Sequence, residues 1–312
     1  MRTGSLAVAF ALMFAASCGG SDSTGPSFST TGTGGTGGTG GTGGTGGTGG
    51  TGGTGGSGGG GGSLSGAIDT TANANSTGAQ TVGWVDKSLV DAGVTYKYKV
   101  FVPSNYNSVS KVPVLLALHA SGEKGSDNLA QTTTGVGRVI RASPSTFQAL
   151  AVFPQAPATE GSTFQVFTRI SQIALSQTLK EYGKRDMSRV YVTGHSYGGL
   201  VGYAVVNNSP AVFAAFLPIS AYICGGCIFG TGTGDLPATT TIAPSIRSMP
   251  IDQFQGDLDT QVPVATVRAE VDILKNAGSP IVYNEIKGGD HAIWDGIYAR
   301  QSTWDWLWAQ HK

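Results

Sequence analysis

The chain has few charged residues, and neither sign of charge is in excess. Only 12% of its 312 residues are Asp, Glu, Lys or Arg, and 19 basic residues balance 19 acidic ones. A positive excess is the feature that attracts nucleic acid or an anionic membrane surface. The composition therefore gives no electrostatic reason to expect either partner.

Cysteine is also scarce. The chain has 3 cysteines, and two of them, Cys224 and Cys227, lie in "AYICGGCIFG". A zinc site would need two further ligands nearby, and a redox pair is expected at the start of a helix after a strand. We therefore interpret these two residues as a local structural disulfide, and we expect no metal and no cofactor.

Glycine, in contrast, is abundant, and most of it lies in one block. Of the 50 glycines, many fall in residues 31–62, a Thr-Gly-Gly repeat without apolar residues. Such a segment buries nothing that could offset its chain entropy, so it predicts a flexible linker. We place this linker at residues 18–63 and one folded domain at 64–312.

The first residues have the pattern of an export signal. Arg2 precedes an apolar stretch, and small residues lead to Cys18, which predicts a signal peptide over residues 1–17 that is too short to be a membrane span. Cys18 and the polar segment after it resemble a bacterial lipoprotein signal, which implies a lipid on the Cys18 thiol. Ala15 replaces the usual Leu of that motif, so ordinary secretion stays an alternative to a cell-surface or periplasmic lipoprotein.

The rest of the chain alternates strand and helix patterns. Continuous apolar runs at 112–120 and 149–157 predict central strands, and strict alternation at 95–103 predicts an antiparallel strand near an edge. Helical spacing follows at 164–183 and again at 263–278. This order predicts an α/β fold with a mostly parallel central sheet and helices on both faces. Ligands then bind at the carboxyl ends of the strands.

One stretch, "RVYVTGHSYGGLVGYAVV" at 189–206, runs from a strand through a glycine-rich turn into a helix. This is the pattern of a nucleophile elbow, with Ser196 at the apex of the turn. A second Gly-x-Ser-x-Gly surrounds Ser57, but no strand precedes it and no helix follows it. The context therefore favours Ser196 as the nucleophile.

A serine nucleophile needs a base and an acid that orients the base. In the chain order serine, acid, histidine, only His291 and the terminal His311 follow Ser196 among the 4 histidines. His291 lies in a glycine-rich loop after the last predicted strand, so we predict it as the base. Asp257 and Asp259 both lie in the right interval, and either is an equally good cap for the next helix, so spacing leaves the acid open.

A family resemblance extends over about residues 85–310. The stretches "ALHASGEKGSDN", "VFPQAP", "SRVYVTGHSYGG", "PISA", "GDLDTQVPV" and "GGDHAIWD", in this order, resemble secreted esterases of the α/β-hydrolase superfamily. The similar proteins are of the predicted peptidase and phospholipase-carboxylesterase type, related to feruloyl esterases and polyhydroxybutyrate depolymerases. The resemblance implies an α/β-hydrolase fold, and its Gly-x-x-Asp-x-x-Val-Pro stretch selects Asp259 as the acid. Gln255 stands where the family usually has His.

Two backbone donors are needed to stabilise the oxyanion of an acyl-transfer intermediate. The elbow supplies the N–H of Tyr197. The second donor is expected in the loop after "VLLALHA", where the family has His-Gly and this chain has His119 and Ala120. We predict the N–H of Ser121, with His119 bracing the loop.

Trp294 and Tyr298 match aromatic residues of the same family. We predict that Trp294 lines the substrate pocket, and packing of the last helix is an equal alternative for both residues. The resulting prediction is an exported, monomeric serine esterase acting on acetyl, feruloyl or similar esters of extracellular polymers. The alternatives are a polyester depolymerase, a serine peptidase and a non-catalytic surface binding protein.

Overall fold

The computed structural model describes residues 67–71, 76, 78–158, 164–225 and 237–312. All of these belong to the second of the chain's two units, Gly59–Lys312. The predicted signal peptide, Cys18, the Thr-Gly-Gly linker, Ser57 and Cys227 lie outside the described residues, and the predictions made for them stay predictions.

Eight strands form one sheet in the order β1-β2-β4-β3-β5-β6-β7-β8. The strands from β3 onward pair in parallel, whereas β2 pairs antiparallel with both β1 and β4. The strands are β1 Gly83–Asp91, β2 Val94–Val102, β3 Val112–Leu118, β4 Leu150–Pro154, β5 Arg185–His195, β6 Ala215–Ile219, β7 Asp252–Gly256 and β8 Val282–Ile286.

Five of the described helices connect the parallel strands, and two more follow the last strand. They are α1 Gly135–Ala142, α2 Phe164–Glu181, α3 Tyr197–Asn208, α4 Pro237–Ile246, α5 Val264–Asn276, α6 Trp294–Tyr298 and α7 Gln301–Ala309. Single turns of 3-10 helix occur at Ser121–Glu123 and Ala130–Thr132. Among the described helices, none has the length and apolarity that crossing a membrane requires.

The alternation of side chains along the central strands separates two hydrophobic layers. Val114 and Leu116 of β3 pack on one face of the sheet, in the cluster that contains apolar residues of α2, α3 and α5. Leu115, between them, points to the opposite face and packs with residues of α1, α6 and α7. The predicted mostly parallel sheet with helices on both faces is confirmed.

The folded part begins ahead of the first strand. Ile68 is buried in the first of these layers, and its N–H donates to Ser209 Oγ at 3.3 Å. The carbonyl of Ser76 accepts a hydrogen bond of 2.7 Å from the N–H of Gly183. Residues well before β1 therefore contribute to the core, further upstream than the strand pattern alone indicated.

Candidate active site

Ser196 occupies the turn between the central strand β5 and helix α3. Its backbone has φ 51° and ψ −124°. A positive φ is disfavoured for any residue with a Cβ, and such strain persists only where the surroundings enforce it. The turn therefore holds the Ser196 hydroxyl at the carboxyl end of β5, as predicted for an elbow.

The glycines around Ser196 are required by close backbone approach. A Cβ on Gly198 would lie 2.2 Å from the carbonyl oxygen of Leu118, and a Cβ on Gly194 would lie 2.4 Å from the carbonyl oxygen of Gly198. The first turn of α3 thus packs directly on the end of β3. Because Ser121 follows that end by only three residues, the loop predicted to stabilise an oxyanion begins beside the elbow.

Three strand ends bring Ser196, His291 and Asp259 together. His291 Nε2 lies 2.8 Å from Ser196 Oγ, and His291 Nδ1 lies 2.8 Å from Asp259 Oδ2. Asp259 follows β7 and His291 follows β8, and these two residues are only 6% and 9% exposed. The sequence placed all three at one edge of the sheet, and the structure arranges them in a continuous hydrogen-bonded chain.

The carboxylate of Asp259 accepts four hydrogen bonds. Its Oδ1 accepts from the N–H groups of Gln261 and Val262 at 2.8 and 2.9 Å. Its Oδ2 accepts from Gln255 Nε2 at 2.9 Å and faces His291. Burial acts to raise the pKa of Asp259, but the hydrogen bonds from His291 and the two backbone N–H groups outweigh it, and the pKa is lowered. Asp259 is therefore ionised at neutral pH.

The ionised carboxylate determines the tautomer of His291. Because Asp259 Oδ2 can only accept, Nδ1 of His291 carries the proton, and Nε2 is left as the acceptor for the Ser196 hydroxyl. This is the state in which an imidazole can remove a proton from a serine.

Asp257, the other aspartate that the spacing allowed, has a different partner. Its Oδ1 accepts a hydrogen bond from the N–H of Gly288 at 2.7 Å, in the loop that leads to His291. Asp259 is thus the aspartate in contact with the imidazole, and its role as the acid stays a prediction.

Known proteins that share this architecture include esterases and peptidases. The prolyl oligopeptidase family matches residues 171–222, the segment that contains the elbow. A solved thermostable esterase shares 26% sequence identity over 73% of this chain and 63% of its own, with a TM-score of 0.60. No curated protein sequence matches the chain.

Two other solved structures have the same fold at lower identity. A ferulic acid esterase is 18% identical over 72% of this chain and 95% of its own, with a TM-score of 0.53. The Pyrococcus horikoshii acylaminoacyl peptidase is 14% identical over 69% of this chain and 38% of its own, with a TM-score of 0.51. This chain has the α/β-hydrolase fold, which these esterases and peptidases share. It spans less than two thirds of the length of the thermostable esterase.

In this α/β-hydrolase, the loop after β3 is fixed by a buried histidine. His119 Nδ1 donates to the carbonyl of Ala120 at 2.6 Å, and Nε2 accepts from the N–H of Ala156 at 3.0 Å. Burial lowers the pKa of His119 to about 4, so the imidazole is neutral. Ala120 has φ −75°, which any residue adopts, and this explains why glycine is not required there.

The two predicted oxyanion donors, Ser121 and Tyr197, lie on either side of the contact between the first turn of α3 and the end of β3. Ser121 begins the 3-10 turn of the loop, and Tyr197 is the first residue of α3. The first N–H groups of a helix have no acceptor within the helix and point outward from its start. The elbow and the loop thus present backbone donors at adjoining positions, while the roles of Ser121 and Tyr197 stay predictions.

Trp294 separates two imidazoles of the α/β-hydrolase. Its ring stacks on that of His195 at 4.8 Å, and it meets the ring of His291 edge-on at 5.5 Å. Burial lowers the pKa of His195 to about 3, so His195 is neutral. Tyr298, in contrast, is a core residue whose hydroxyl bonds to Thr193 Oγ1 at 2.7 Å.

Sequence reasoning missed two contributors to the site. Glu123 lies 4.0 Å from both His119 Nδ1 and His195 Nε2, and burial raises the pKa of its carboxyl. Ser220, after β6, has φ 50° and donates from Oγ to the carbonyl of His291 at 2.8 Å. The signals were the strings "SGEKG" and "PISA", which carry the family resemblance without stating a role.

Cys224 is buried and disulfide-bonded. Its predicted partner Cys227 lies outside the described residues, so the pairing stays a prediction. Within the described ranges, no group of His, Cys, Asp and Glu is arranged to hold a metal ion.

Proposed function

We propose that this α/β-hydrolase is an exported serine carboxylic-ester hydrolase. Ser196 is the nucleophile, His291 the general base and Asp259 the acid that orients the base. The observation that carries the proposal is the position of His291, whose two ring nitrogens lie 2.8 Å from Ser196 Oγ and 2.8 Å from Asp259 Oδ2.

The first half of the reaction forms an acyl-enzyme. As Ser196 Oγ attacks the ester carbonyl, its proton passes to Nε2 of His291, and Asp259 balances the charge of the imidazolium. The N–H groups of Ser121 and Tyr197 stabilise the oxyanion of the tetrahedral intermediate. The intermediate collapses when the imidazolium gives its proton to the departing alcohol.

The second half repeats these steps with water. His291 removes a proton from a water molecule, the resulting nucleophile attacks the acyl carbonyl, and the proton returns to Ser196 as the carboxylic acid leaves. The enzyme is restored to its starting protonation state, and every step is performed by side-chain and backbone groups of this chain.

The substrates we propose are acetyl, feruloyl or similar esters of extracellular polymers. The predicted export signal and the predicted glycine-rich linker after it suit a domain that must reach material outside the cell. A thermostable esterase at 26% identity and a ferulic acid esterase of the same fold support the ester class. Trp294 beside His291 offers an aromatic surface for the acyl group. A polyester depolymerase is the alternative within this class.

A serine peptidase is the second candidate, because residues 171–222 match the prolyl oligopeptidase family. The same triad hydrolyses both esters and amides, so the difference lies in the leaving group. We expect turnover of a p-nitrophenyl ester to exceed that of the matching p-nitroanilide by orders of magnitude beyond their difference in intrinsic reactivity. If turnover of the anilide instead exceeds that of the ester by a similar factor, after allowance for intrinsic reactivity, the protein would be reassigned to the peptidases.

The nucleophile can be tested directly. Ser196→Ala should abolish hydrolysis of short-chain p-nitrophenyl esters and labelling by a fluorescent organophosphonate, while the unfolding midpoint stays close to that of the wild type. A Ser196→Ala protein that is still labelled would overturn the proposal. An intact wild-type protein that is never labelled would favour the alternative of a non-catalytic surface binding protein.

A further inference from the structure

Gln255 lies in β7 and is fully buried. Its amide nitrogen donates to Asp259 Oδ2 at 2.9 Å and to the carbonyl of Val262 at 3.0 Å. The first of these bonds ends on the same carboxylate oxygen that faces His291 Nδ1. One amide therefore ties the proposed acid to the strand that precedes it.

The other end of this amide is unmatched. Gln255 Oε1 is buried and has no hydrogen-bond partner among the described residues. A buried polar atom without a partner is destabilising, so an apolar side chain would serve better if position 255 only filled the core. Turning the amide over would place Oε1 against a carboxylate, which would repel it. The orientation of the Gln255 amide is thus determined by its nitrogen, which donates to Asp259.

A second glutamine on the same strand has hydrogen-bond partners at both ends of its amide. Gln253 is also completely buried, and alternation along β7 places it on the same face. Its Oε1 accepts from the Tyr203 hydroxyl at 2.6 Å, and its Nε2 donates to the Ala221 carbonyl at 2.8 Å. Gln253 thus bonds through both ends of its amide, whereas Gln255 bonds only through its nitrogen, to Asp259 and to the Val262 carbonyl, and its oxygen has no partner among the described residues.

We propose that Gln255 is a positioning residue for the acid of the triad, an inference that rests on the proposed function. Its N–H fixes Asp259 Oδ2 toward His291 and, by sharing that oxygen, limits the negative charge that the imidazolium feels. Without Gln255 the carboxylate is less well oriented, which slows proton transfer. The oxygen also faces the imidazolium with more charge, which favours the protonated base.

Two measurements separate this role from simple packing. The acidic limb of the kcat/KM profile reports protonation of the base in the free enzyme. Gln255→Met, which keeps the length of the side chain and removes the amide, should lower kcat about tenfold with little change in KM, because Gln255 is fully buried. The acidic limb should move to higher pH. The titratable groups around His291 include Asp259, which faces its ring, Asp290 and Asp257 in and beside its loop, and His195 behind Trp294, and the substitution alters none of them.

Gln253→Met is the matched control. It removes an equally buried amide from the same face of β7 and should lower the unfolding midpoint while leaving the acidic limb in place. A double-mutant cycle completes the experiment, because in an Asp259→Asn background Gln255→Met should cost less than about twofold in kcat. Gln255→Asn, whose shorter side chain stops short of Asp259, replaces Gln255→Met if that variant does not fold.

The outcomes are distinguishable, with p-nitrophenyl acetate as substrate throughout. If Asp259→Asn lowers kcat by about 10⁴-fold and Gln255→Met shifts neither kcat nor the acidic limb more than Gln253→Met does, the role of Gln255 is refuted and the triad stands. A tenfold loss that persists in the Asp259→Asn background also refutes it, because the effect is then independent of the acid. If Asp259→Asn retains full turnover, the proposed triad falls, and the inference falls with it.

Discussion

Two loops at the same edge of the sheet each present a buried histidine, and they use it in different ways. His119, after β3, is 2% exposed, and both of its ring nitrogens bond to backbone groups. His291, after β8, is 9% exposed, and both of its ring nitrogens face side chains, a carboxylate and a hydroxyl. An imidazole held by the backbone is a fixed neutral brace. An imidazole between an acid and a hydroxyl can take up a proton and return it.

The largest contrast should come from the same substitution at both histidines. His291→Asn removes the base and should lower kcat by about 10⁴-fold or more, since loss of the histidine of a triad costs at least that much. His119→Asn should retain turnover within about tenfold. It should lower the free energy of unfolding by about 1–3 kcal/mol, because the Ala156 N–H loses a buried acceptor. Urea unfolding and p-nitrophenyl ester kinetics measure both effects, and the reverse pattern would exchange the two roles.

The two aspartates near the site repeat the comparison. Asp259→Asn should lower kcat by about 10⁴-fold, because the asparagine favours the wrong tautomer of the base. Asp257→Asn should change kcat by less than about twofold, since Asp257 contacts the N–H of Gly288 and not the imidazole. Steady-state kinetics on one ester decides between them, and a larger loss at Asp257 would show that the acid is wrongly assigned.

Much of the architecture was predictable because its signals are local. The central strands are continuous apolar runs, and the elbow is recognisable from glycines that close backbone approach requires. Strand β1 was not predicted, since it is an edge strand in which only Leu89 is buried. Helices α1 and α4 were not predicted either. Helix α1 has two glycines in eight residues and depends on the burial of Val136 and Ile140, and α4 contains Pro244.

Chain order and the family resemblance pointed to the three residues of the proposed triad, but the residues that support them were not predictable. In the sequence, Gln255 was notable only as a departure from the family pattern, and the residues around it in the chain did not predict its bond to Asp259. The hydrogen bond from Ser220 to the His291 carbonyl joins residues 71 positions apart. Such contacts are decided by how β6, β7 and β8 align, which local sequence patterns do not encode.

A smaller effect sharpens the contrast between the histidines through pH. Burial lowers the pKa of His119 from its ordinary 6.5 to about 4. Below pH 6.5 His119 is protonated in the unfolded chain, whereas in the folded chain it stays neutral down to about pH 4. The free energy of unfolding is therefore unaffected by this titration above pH 6.5, and it falls by about 3 kcal/mol as the pH decreases from 6.5 to 4. His119→Asn should flatten this slope in urea unfolding at stepped pH, and an unchanged slope would contradict the brace.

The smallest effect is expected at Ser57, whose Gly-x-Ser-x-Gly motif has no strand pattern before it and no helix pattern after it in the sequence. Ser57→Ala should leave kcat unchanged, because residues 31–62 carry no apolar pattern that could build a site. A chain that begins at Leu64 should also fold and keep its full turnover on soluble esters, since it retains Ile68 and every described element. Activity assays of both variants beside Ser196→Ala provide the check, and lost turnover after truncation would move the domain boundary.

The order in which the strands are made has a consequence for the growing polypeptide. Ser196 and His291 lie 95 positions apart, and His291 lies beyond β8, the last strand to be synthesised. Domains assemble from their first-made parts while synthesis continues. A nascent chain that stops before β8 therefore already contains the elbow and its strained serine, but it has no base. Under the proposed mechanism, the base is supplied only by the loop that follows β8, so Ser196 has no group to activate it until His291 has been added to the chain.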